Sequence, residues 1–207
     1  MPFDVDLTLR RGGKTIAARF SGGEGITALF GPSGAGKTSV LDMVAGLVRP
    51  DAGRIVVGGE VLFDSAKGVN LPPERRRCGY VFQDLRLFPH RKVRDNLLFG
   101  WRLARPEARW LSLGDAVDFL GIAHLLDRAP ASLSGGEAQR VAIGRALLSG
   151  PAFLAMDEPL SSLDHSRREE ILRLVTRIRD ELRLPILYVS HDPAEIDRLE
   201  ATVIRLD

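Results

Sequence analysis

The residues with the clearest chemistry form a glycine-rich stretch near the N-terminus. It runs Gly-Pro-Ser-Gly-Ala-Gly-Lys-Thr and matches the pattern G-x-x-x-x-G-K-[ST] of a phosphate-binding loop. Glycines let backbone N–H groups approach phosphate oxygens without a Cβ in the way, and a following helix adds positive potential at its N-terminus. We expect Lys37 to reach the β- and γ-phosphates and Thr38 to supply a hydroxyl ligand for Mg²⁺. The predicted nucleotide-binding residues are Gly31, Pro32, Ser33, Gly34, Ala35, Gly36, Lys37, Thr38 and Ser39.

Two carboxylates end an apolar run later in the chain. Residues 153–156 are apolar, and Asp157 and Glu158 follow them directly. A strand that ends in Asp157 places this carboxylate at the carboxyl edge of a sheet, where it can hold Mg²⁺ beside Thr38. A glutamate next to that aspartate is well placed to orient and polarise an attacking water, although such a pair can also be a solvated loop start. The pair favours hydrolysis over group transfer, which a phosphate loop alone does not decide.

These side chains need elements that position them, and the spacing of apolar residues predicts alternating strands and helices. Ile26–Phe30 is a short apolar run before the phosphate loop, and residues 40–47 after it have helical spacing. An amphipathic helix is predicted over residues 171–182, with Ser166 and Glu169 as a capping-box start. Further strands are predicted at residues 54–57, 80–82, 152–156, 186–190 and 202–206. Strands joined by helical crossovers predict an α/β fold with a mainly parallel sheet.

The middle of the chain has a different pattern. From about residue 85 to residue 148 the apolar residues recur at helical spacing without a convincing strand, as at Leu97, Leu98 and Trp101. The sequence therefore predicts a helical insertion in an α/β core. We expect residues 1–84 and 151–207 to form the nucleotide-binding core, and residues 85–150 to form a helical subdomain.

A second glycine pair lies in this helical region, in the stretch Leu-Ser-Gly-Gly-Glu at residues 133–137. Ser134 with Glu137 three residues later fits an ordinary capping box at the start of a helix. Gly135 and Gly136 at a helix N-terminus also leave backbone donors exposed, which suits a second grip on phosphate. The residues alone leave both interpretations open.

With this stretch the chain resembles the ATP-binding cassette (ABC) ATPases, the nucleotide-binding subunits of transporters. The resemblance runs from about Gly25 to His191, and its parts follow in the family's order. It implies a P-loop NTPase core with a helical insertion, ATP and Mg²⁺ as cofactors, and a second copy of the chain packed head to tail. In such a dimer Ser134, Gly135 and Gly136 grip the γ-phosphate of the nucleotide bound by the opposite subunit.

The resemblance also implies roles for single residues. Gln83 matches the family's glutamine loop, which senses Mg²⁺ and the γ-phosphate, and His191 matches its switch histidine. Asp164 ends a loop, residues 161–164, that in the family crosses to the partner subunit and contacts its nucleotide. Taken singly, a glutamine or histidine at a strand end is more often structural. The implied catalytic residues are Glu158, His191, Lys37 and Gln83, and the implied metal ligands are Thr38, Gln83 and Asp157.

One stretch is similar to a single branch of the family. Residues 71–77, Leu-Pro-Pro-Glu-Arg-Arg-Arg, lead into Gly-Tyr-Val-Phe-Gln-Asp and then Leu-Phe-Pro-His at residues 87–90, which looks like the ATPase subunits of molybdate importers. This resemblance implies import of molybdate or a similar oxyanion, with permease subunits docked near residues 83–94. Phe88 and Pro89 would offer an apolar knob there, or would anchor their own loop. Arg75, Arg76 and Arg77 fit lipid headgroups, the partner or a solvated basic face.

Composition restricts the partners and the location in the cell that the sequence allows. Twenty-nine basic against 27 acidic residues among 207 give a net charge of +2, which offers no support for nucleic-acid binding. Cys78 is the single cysteine, which favours a reducing compartment, and no apolar run reaches the roughly 18 residues needed to span a bilayer. We therefore expect a peripheral protein at the cytoplasmic face of the inner membrane, with permease subunits and no nucleic acid as partners.

The main alternative is a soluble ABC ATPase that is not coupled to transport. That class shares every nucleotide motif, but it should carry duplicated cassettes or long inserts. A P-loop kinase or GTPase would have no reason for residues 133–137 or His191, and a non-hydrolysing module would not need Lys37, Asp157 and Glu158 together.

Two features depart from the family's pattern. Residues 10–14 contain no aromatic side chain to stack on adenine, and Arg10 or Arg11 is the candidate substitute through cation stacking. The chain also stops at Asp207, whereas importers of this type usually continue into a C-terminal regulatory domain. We therefore expect a short or truncated member of the family.

Overall fold

The computed structural model describes residues 2–206 of the chain. Five strands form a parallel sheet in the order β10-β3-β9-β8-β7. They are β3 (Ile26–Phe30), β7 (Cys78–Val81), β8 (Phe153–Asp157), β9 (Ile186–Ser190) and β10 (Thr202–Arg205). The predicted α/β fold with a parallel sheet is confirmed. Because the strands are parallel, the loops after β3, β7, β8 and β9 all leave the sheet at one edge.

A second, antiparallel sheet covers one side of the molecule in the order β2-β1-β4-β5-β6. Its strands are β1 (Phe3–Arg11), β2 (Lys14–Gly22), β4 (Ala52–Val57), β5 (Glu60–Asp64) and β6 (Val69–Asn70). Only β4 overlaps a predicted strand. In β1 the buried residues Phe3, Val5 and Leu7 alternate with the exposed Asp4 and Asp6. That alternation is the sequence signal of a half-buried strand.

Residues 2–206 form six α-helices. They are α1 (Lys37–Ala45), α2 (Val93–Leu103), α3 (Leu113–Leu120), α4 (Gly135–Leu148), α5 (His165–Leu182) and α6 (Pro193–Leu199). Between β7 and β8, a stretch that the structure describes completely, the regular elements are helical. The predicted domain boundaries remain a prediction, and two of the residues they include, Met1 and Asp207, lie outside the described residues.

The predicted capping box at the start of α5 is wrong. Asp164 is the N-cap residue, and its Oδ1 accepts a hydrogen bond from the backbone N–H of Arg167 at 3.0 Å. Ser166 lies inside the helix, and its hydroxyl donates to the same oxygen at 2.9 Å. An ionised aspartate at the N-cap position accepts these bonds while facing the positive end of the helix. The hydrogen bonds from the Arg167 N–H and the Ser166 hydroxyl lower the pKa of Asp164.

The parallel sheet separates two hydrophobic cores. Phe153, Ala155 and Leu187 face α1 and the antiparallel sheet. Leu154 and Met156 face the opposite side, against the core formed by α2 to α5. Strands β8 and β9 are therefore buried on both faces, which explains why they are continuous apolar runs in the sequence.

Candidate active site

The phosphate loop connects β3 to α1, and Lys37 is the first residue of that helix. Gly34 and Gly36 have positive φ angles of 86° and 90°, which turn the loop back toward the helix N-terminus. The Lys37 side chain is buried, and its Nζ donates hydrogen bonds to the carbonyl oxygens of Gly31 at 2.8 Å and Pro32 at 2.9 Å. The ammonium group therefore lies inside the turn that the sequence predicts for phosphates.

Thr38 and Asp157 meet although they are far apart in the sequence. The Thr38 hydroxyl donates to Asp157 Oδ1 at 3.0 Å. Asp157 is buried at the end of β8, and this burial raises the pKa of its carboxyl group, while the Thr38 hydrogen bond opposes that shift. Two adjacent oxygen ligands, one of them a buried carboxylate that a neighbouring cation would stabilise, suit Mg²⁺. The residues present therefore fit the predicted metal ion.

Glu158 and His191 form a second contact at the same edge. Glu158 Oε1 lies 3.2 Å from His191 Nδ1. The Glu158 backbone is left-handed, with a φ of 41°, and its N–H donates to the carbonyl oxygen of Val189 at 3.1 Å. A glutamate held in this costly conformation is fixed by the strands around it, which is common for residues at functional sites.

An open cavity of about 400 Å³ connects Lys37, Thr38 and Glu158. Its size is in the range of small-molecule sites. The lining residues are Ile16, Ser33, Gly34, Gly36, Lys37, Thr38, Ser39, Gln83 and Glu158. Gln83 reaches it from the loop after β7, where its Nε2 lies 3.5 Å from Ser161 Oγ. A larger groove of about 1080 Å³ around Gly25 and Arg183 contains none of the predicted site residues.

The remaining predicted residues lie together elsewhere. Ser134, Gly135, Gly136 and Asp164 are absent from the lining of the described cavity. The capping box at Ser134 is confirmed, because its Oγ accepts from the Glu137 N–H at 3.4 Å and Glu137 Oε2 accepts from the Ser134 N–H at 2.7 Å. A Cβ on Gly135 would lie 3.2 Å from Leu163 Cδ2, so this glycine borders the loop that contains Asp164.

Residues 14–161 match the protein-family profile described as "ABC transporter". The chain belongs to the ABC transporter family. It is 56% identical over 201 residues to the molybdenum import ATP-binding protein ModC of Rhodospirillum rubrum, an alignment that covers 97% of this chain and 54% of that protein. A similar protein from Brucella abortus is 57% identical over 203 residues, which are 98% of this chain and 56% of that protein. This ABC family member thus spans about half the length of the curated relatives it matches.

Solved structures of ABC cassettes share the fold. The cbiO1 protein of Clostridium perfringens, part of the ABC transporter complex cbiONQ, superposes with a TM-score of 0.80 at 29% identity. That comparison covers all of this chain and 84% of the other. The parallel sheet with its helices is therefore the P-loop core of an ABC ATPase. No helix within residues 2–206 of this ABC family member is both long and apolar enough to cross a membrane.

Several residues of this ABC cassette have roles that the sequence patterns did not predict. Ile16, and neither Arg10 nor Arg11, lines the cavity at the phosphate loop. Arg76 is 2% exposed and donates to the carbonyl oxygens of Met43 and Val44 at the end of α1. Its expected place on a basic surface is wrong, because a guanidinium group that satisfies the last carbonyls of a helix is buried with them.

Proposed function

We propose that this ABC family member is the ATP-hydrolysing, nucleotide-binding subunit of an importer for molybdate or a similar oxyanion. The observation that carries the proposal is the sheet edge where Lys37, Thr38 and Glu158 line one cavity, with Asp157 bonded to Thr38 and His191 in contact with Glu158. Identity of 56% to a protein named for molybdenum import supports the substrate class.

The chain's residues divide the chemistry of hydrolysis among them. The backbone donors of the phosphate loop and the Lys37 ammonium bind and orient the phosphates of ATP. Thr38 and Asp157 would hold Mg²⁺ with Gln83 nearby, and the bound ion would neutralise phosphate charge. Glu158 orients a water and accepts its proton. His191, held against Glu158, donates to the γ-phosphate and stabilises the charge that develops there.

The two separate groups of site residues support a two-subunit site. Ser134, Gly135, Gly136 and Asp164 of one copy would complete the phosphate loop of a second copy packed head to tail. A solved structure of MJ0796, a bacterial ABC transporter cassette, is dimeric. It is 25% identical to this chain, with a TM-score of 0.76, and the comparison covers 98% of this chain and 92% of that one. Permease subunits would dock near residues 83–94, where the core meets the helical part, residues 85–150, at the cytoplasmic face of the inner membrane.

The test is ATPase activity as a function of protein concentration, with Glu158→Gln as the control. Glutamine keeps the size of the side chain and its contact to His191 but cannot accept a proton. We expect the rate per subunit to rise with concentration, and the variant to lose about 10²-fold or more in kcat while still binding ATP and dimerising. Unimpaired turnover in the variant would overturn the role of Glu158. A rate per subunit independent of concentration, in a protein that stays monomeric with ATP, would overturn the shared site.

A further inference from the structure

A buried carboxylate lies directly behind the loop that carries His191. Glu195, in α6, is 7% exposed, and its Oε2 accepts hydrogen bonds from the Ser190 hydroxyl at 2.8 Å and the Tyr188 hydroxyl at 3.0 Å. Among the ion pairs of residues 2–206, which extend to N···O distances of 4.0 Å, none involves Glu195. Burying a carboxyl group is costly unless hydrogen bonds satisfy it, and Glu195 finds its two partners in hydroxyl groups of β9, next to His191.

The Ser190 hydroxyl links Glu195 to the backbone on the other side of His191. Its one proton goes to Glu195, so its lone pairs are free to accept the backbone N–H of Asp192 at 3.0 Å. The residues on both sides of His191 are therefore held by one hydroxyl group, whose orientation the carboxylate fixes. Without Glu195 the hydroxyl can turn its proton toward other acceptors, and the Asp192 N–H loses its defined partner.

A second contact holds the same loop from α5. Arg168 Nη1 lies 3.6 Å from Asp192 Oδ2, and its Nε donates to the carbonyl oxygen of Leu163 at 2.9 Å. Arg168, Asp192 and Glu195 line a small cavity together with His191 and Glu158. The His191 loop is thus fixed at its backbone by Glu195 through Ser190, and at its side by Arg168.

We propose that Glu195 is a positioning residue for His191, which it acts on through the Ser190 hydroxyl and the Asp192 N–H. The inference deepens the proposed function and rests on it, because His191 must meet the γ-phosphate for its position to affect the rate. A displacement of the His191 ring of about 1 Å is enough to cost on the order of 10²-fold in rate.

Two variants that remove one hydrogen bond each from the same carboxylate oxygen give a matched test. Ser190→Ala removes the bond that reaches the His191 loop, whereas Tyr188→Phe removes the bond that does not. We expect Ser190→Ala and Glu195→Ala to lower kcat for ATP about tenfold or more, with KM within about twofold. Tyr188→Phe should keep kcat within about twofold, and Glu195→Gln, which retains an acceptor oxygen, should recover most of the activity lost in Glu195→Ala.

Thermal unfolding of the same four variants separates positioning from stability. If Glu195 only stabilises the fold, kcat follows the melting temperature, and Tyr188→Phe is impaired as much as Ser190→Ala. That result, or wild-type kcat in Ser190→Ala, would overturn the inference.

A readout without turnover keeps the inference distinct from the proposed function. The ring C–H resonance of His191, assigned by its loss in His191→Ala, should shift in Ser190→Ala and Glu195→Ala and stay in place in Tyr188→Phe. If the wild-type chain binds ATP without hydrolysing it, the proposed function fails while these resonances still decide the positioning role. Equal shifts in all three variants, or none, would overturn that role.

Discussion

Asp157 shows at the scale of one residue how a site acts against the stability of its own fold. Burial raises the pKa of its carboxyl group above the ordinary value of 3.8, so ionisation of Asp157 at neutral pH opposes folding. The folded state holds this proton more tightly than the unfolded state does. The stability that Asp157 gains from this tighter proton binding is therefore complete below the ordinary pKa, and it is lost as the pH rises through the raised pKa.

Replacing Asp157 by asparagine removes that cost. Asparagine keeps an oxygen that can accept the Thr38 hydrogen bond of 3.0 Å and has no charge to bury. We expect Asp157→Asn to raise the melting temperature at pH 7, without nucleotide or Mg²⁺, by roughly 2–4 °C. The gain should shrink as the pH is lowered toward the ordinary pKa, and Mg²⁺-dependent ATPase activity should be lost. A lower melting temperature at pH 7 would mean that the ionised carboxylate is a net stabilising group.

Prediction from sequence at this scale succeeds where the chemistry is local. The phosphate loop is one contiguous pattern, and the two residues of the capping box, Ser134 and Glu137, are only three positions apart, so each can be recognised without the fold. Ile16 could not be predicted, because no spacing relates it to Gly36. A Cβ on Gly36 would lie 2.9 Å from Ile16 Cγ2, and only the packing of β2 against α1 brings them together.

At the scale of elements, α1 is held at the end opposite its phosphate-binding residues. Arg76 donates to Met43 and Val44 in its last turn, to the Leu71 carbonyl at 2.7 Å, and to Asn70 Oδ1 at 2.9 Å. This guanidinium bonds to carbonyl oxygens of the last turn and links them to the segment before β7. The Met43 oxygen also accepts the Gly46 N–H at 3.3 Å. The helix that begins with Lys37 is thereby tied to the strand that leads to Gln83.

Arg76→Lys should therefore destabilise the chain although it keeps the charge. Lysine cannot place donors at four separate acceptors, so buried carbonyl oxygens lose their partners. We expect the free energy of unfolding in urea to fall by about 2–4 kcal/mol. The neighbouring Arg75 is exposed, and Arg75→Lys is the matched control, expected to stay within about 0.5 kcal/mol. Equal effects of the two substitutions would show that the Arg76 hydrogen bonds contribute little.

Strands and helices of the parallel core were predictable because they are buried on both faces or repeat at helical spacing. Ile26–Phe30 and Ile186–Ser190 have the predicted bounds. The antiparallel sheet has a weaker signal, since Asp4 and Asp6 interrupt the apolar residues of β1, and β2 carries exposed residues along most of its length. For Phe88, tertiary contacts decide between the two interpretations of the sequence. The Phe88 backbone N–H donates to Asn96 Oδ1 at 2.8 Å, and the ring centroids of Phe88 and Phe99 are 4.7 Å apart. These contacts favour the loop-anchor interpretation.

At the scale of the whole molecule, the loop of residues 161–164 connects the two groups of site residues. Ser161 Oγ lies 3.5 Å from Gln83 Nε2 at the phosphate-loop cavity, and Leu163 borders Gly135 in the Leu-Ser-Gly-Gly-Glu stretch. A movement of this loop would therefore affect the chain's own cavity and the surface that it would offer to a second copy. The resemblance implies that the two groups serve nucleotides bound by different subunits, and in the fold the second group is absent from the lining of the chain's own phosphate-loop cavity.

That separation makes a complementation experiment decisive for the head-to-tail dimer. Lys37→Ala damages the phosphate loop, and Gly135→Asp adds a negative charge that suits the first turn of α4 but repels a phosphate. Each variant alone should lose ATPase activity. When the variants are mixed, a mixed dimer pairs the intact Lys37 of one copy with the intact Gly135 of the other. Half the dimers are mixed and each has one intact site of two, so activity should return to about a quarter of the wild-type rate.

Mixing Lys37→Ala with Glu158→Gln is the matched control, since both changes damage the same half of each site and no mixed dimer has an intact site. Recovery in the control as well, or in neither mixture despite subunit exchange, would contradict a site built from the phosphate loop of one copy and residues 133–137 of the other.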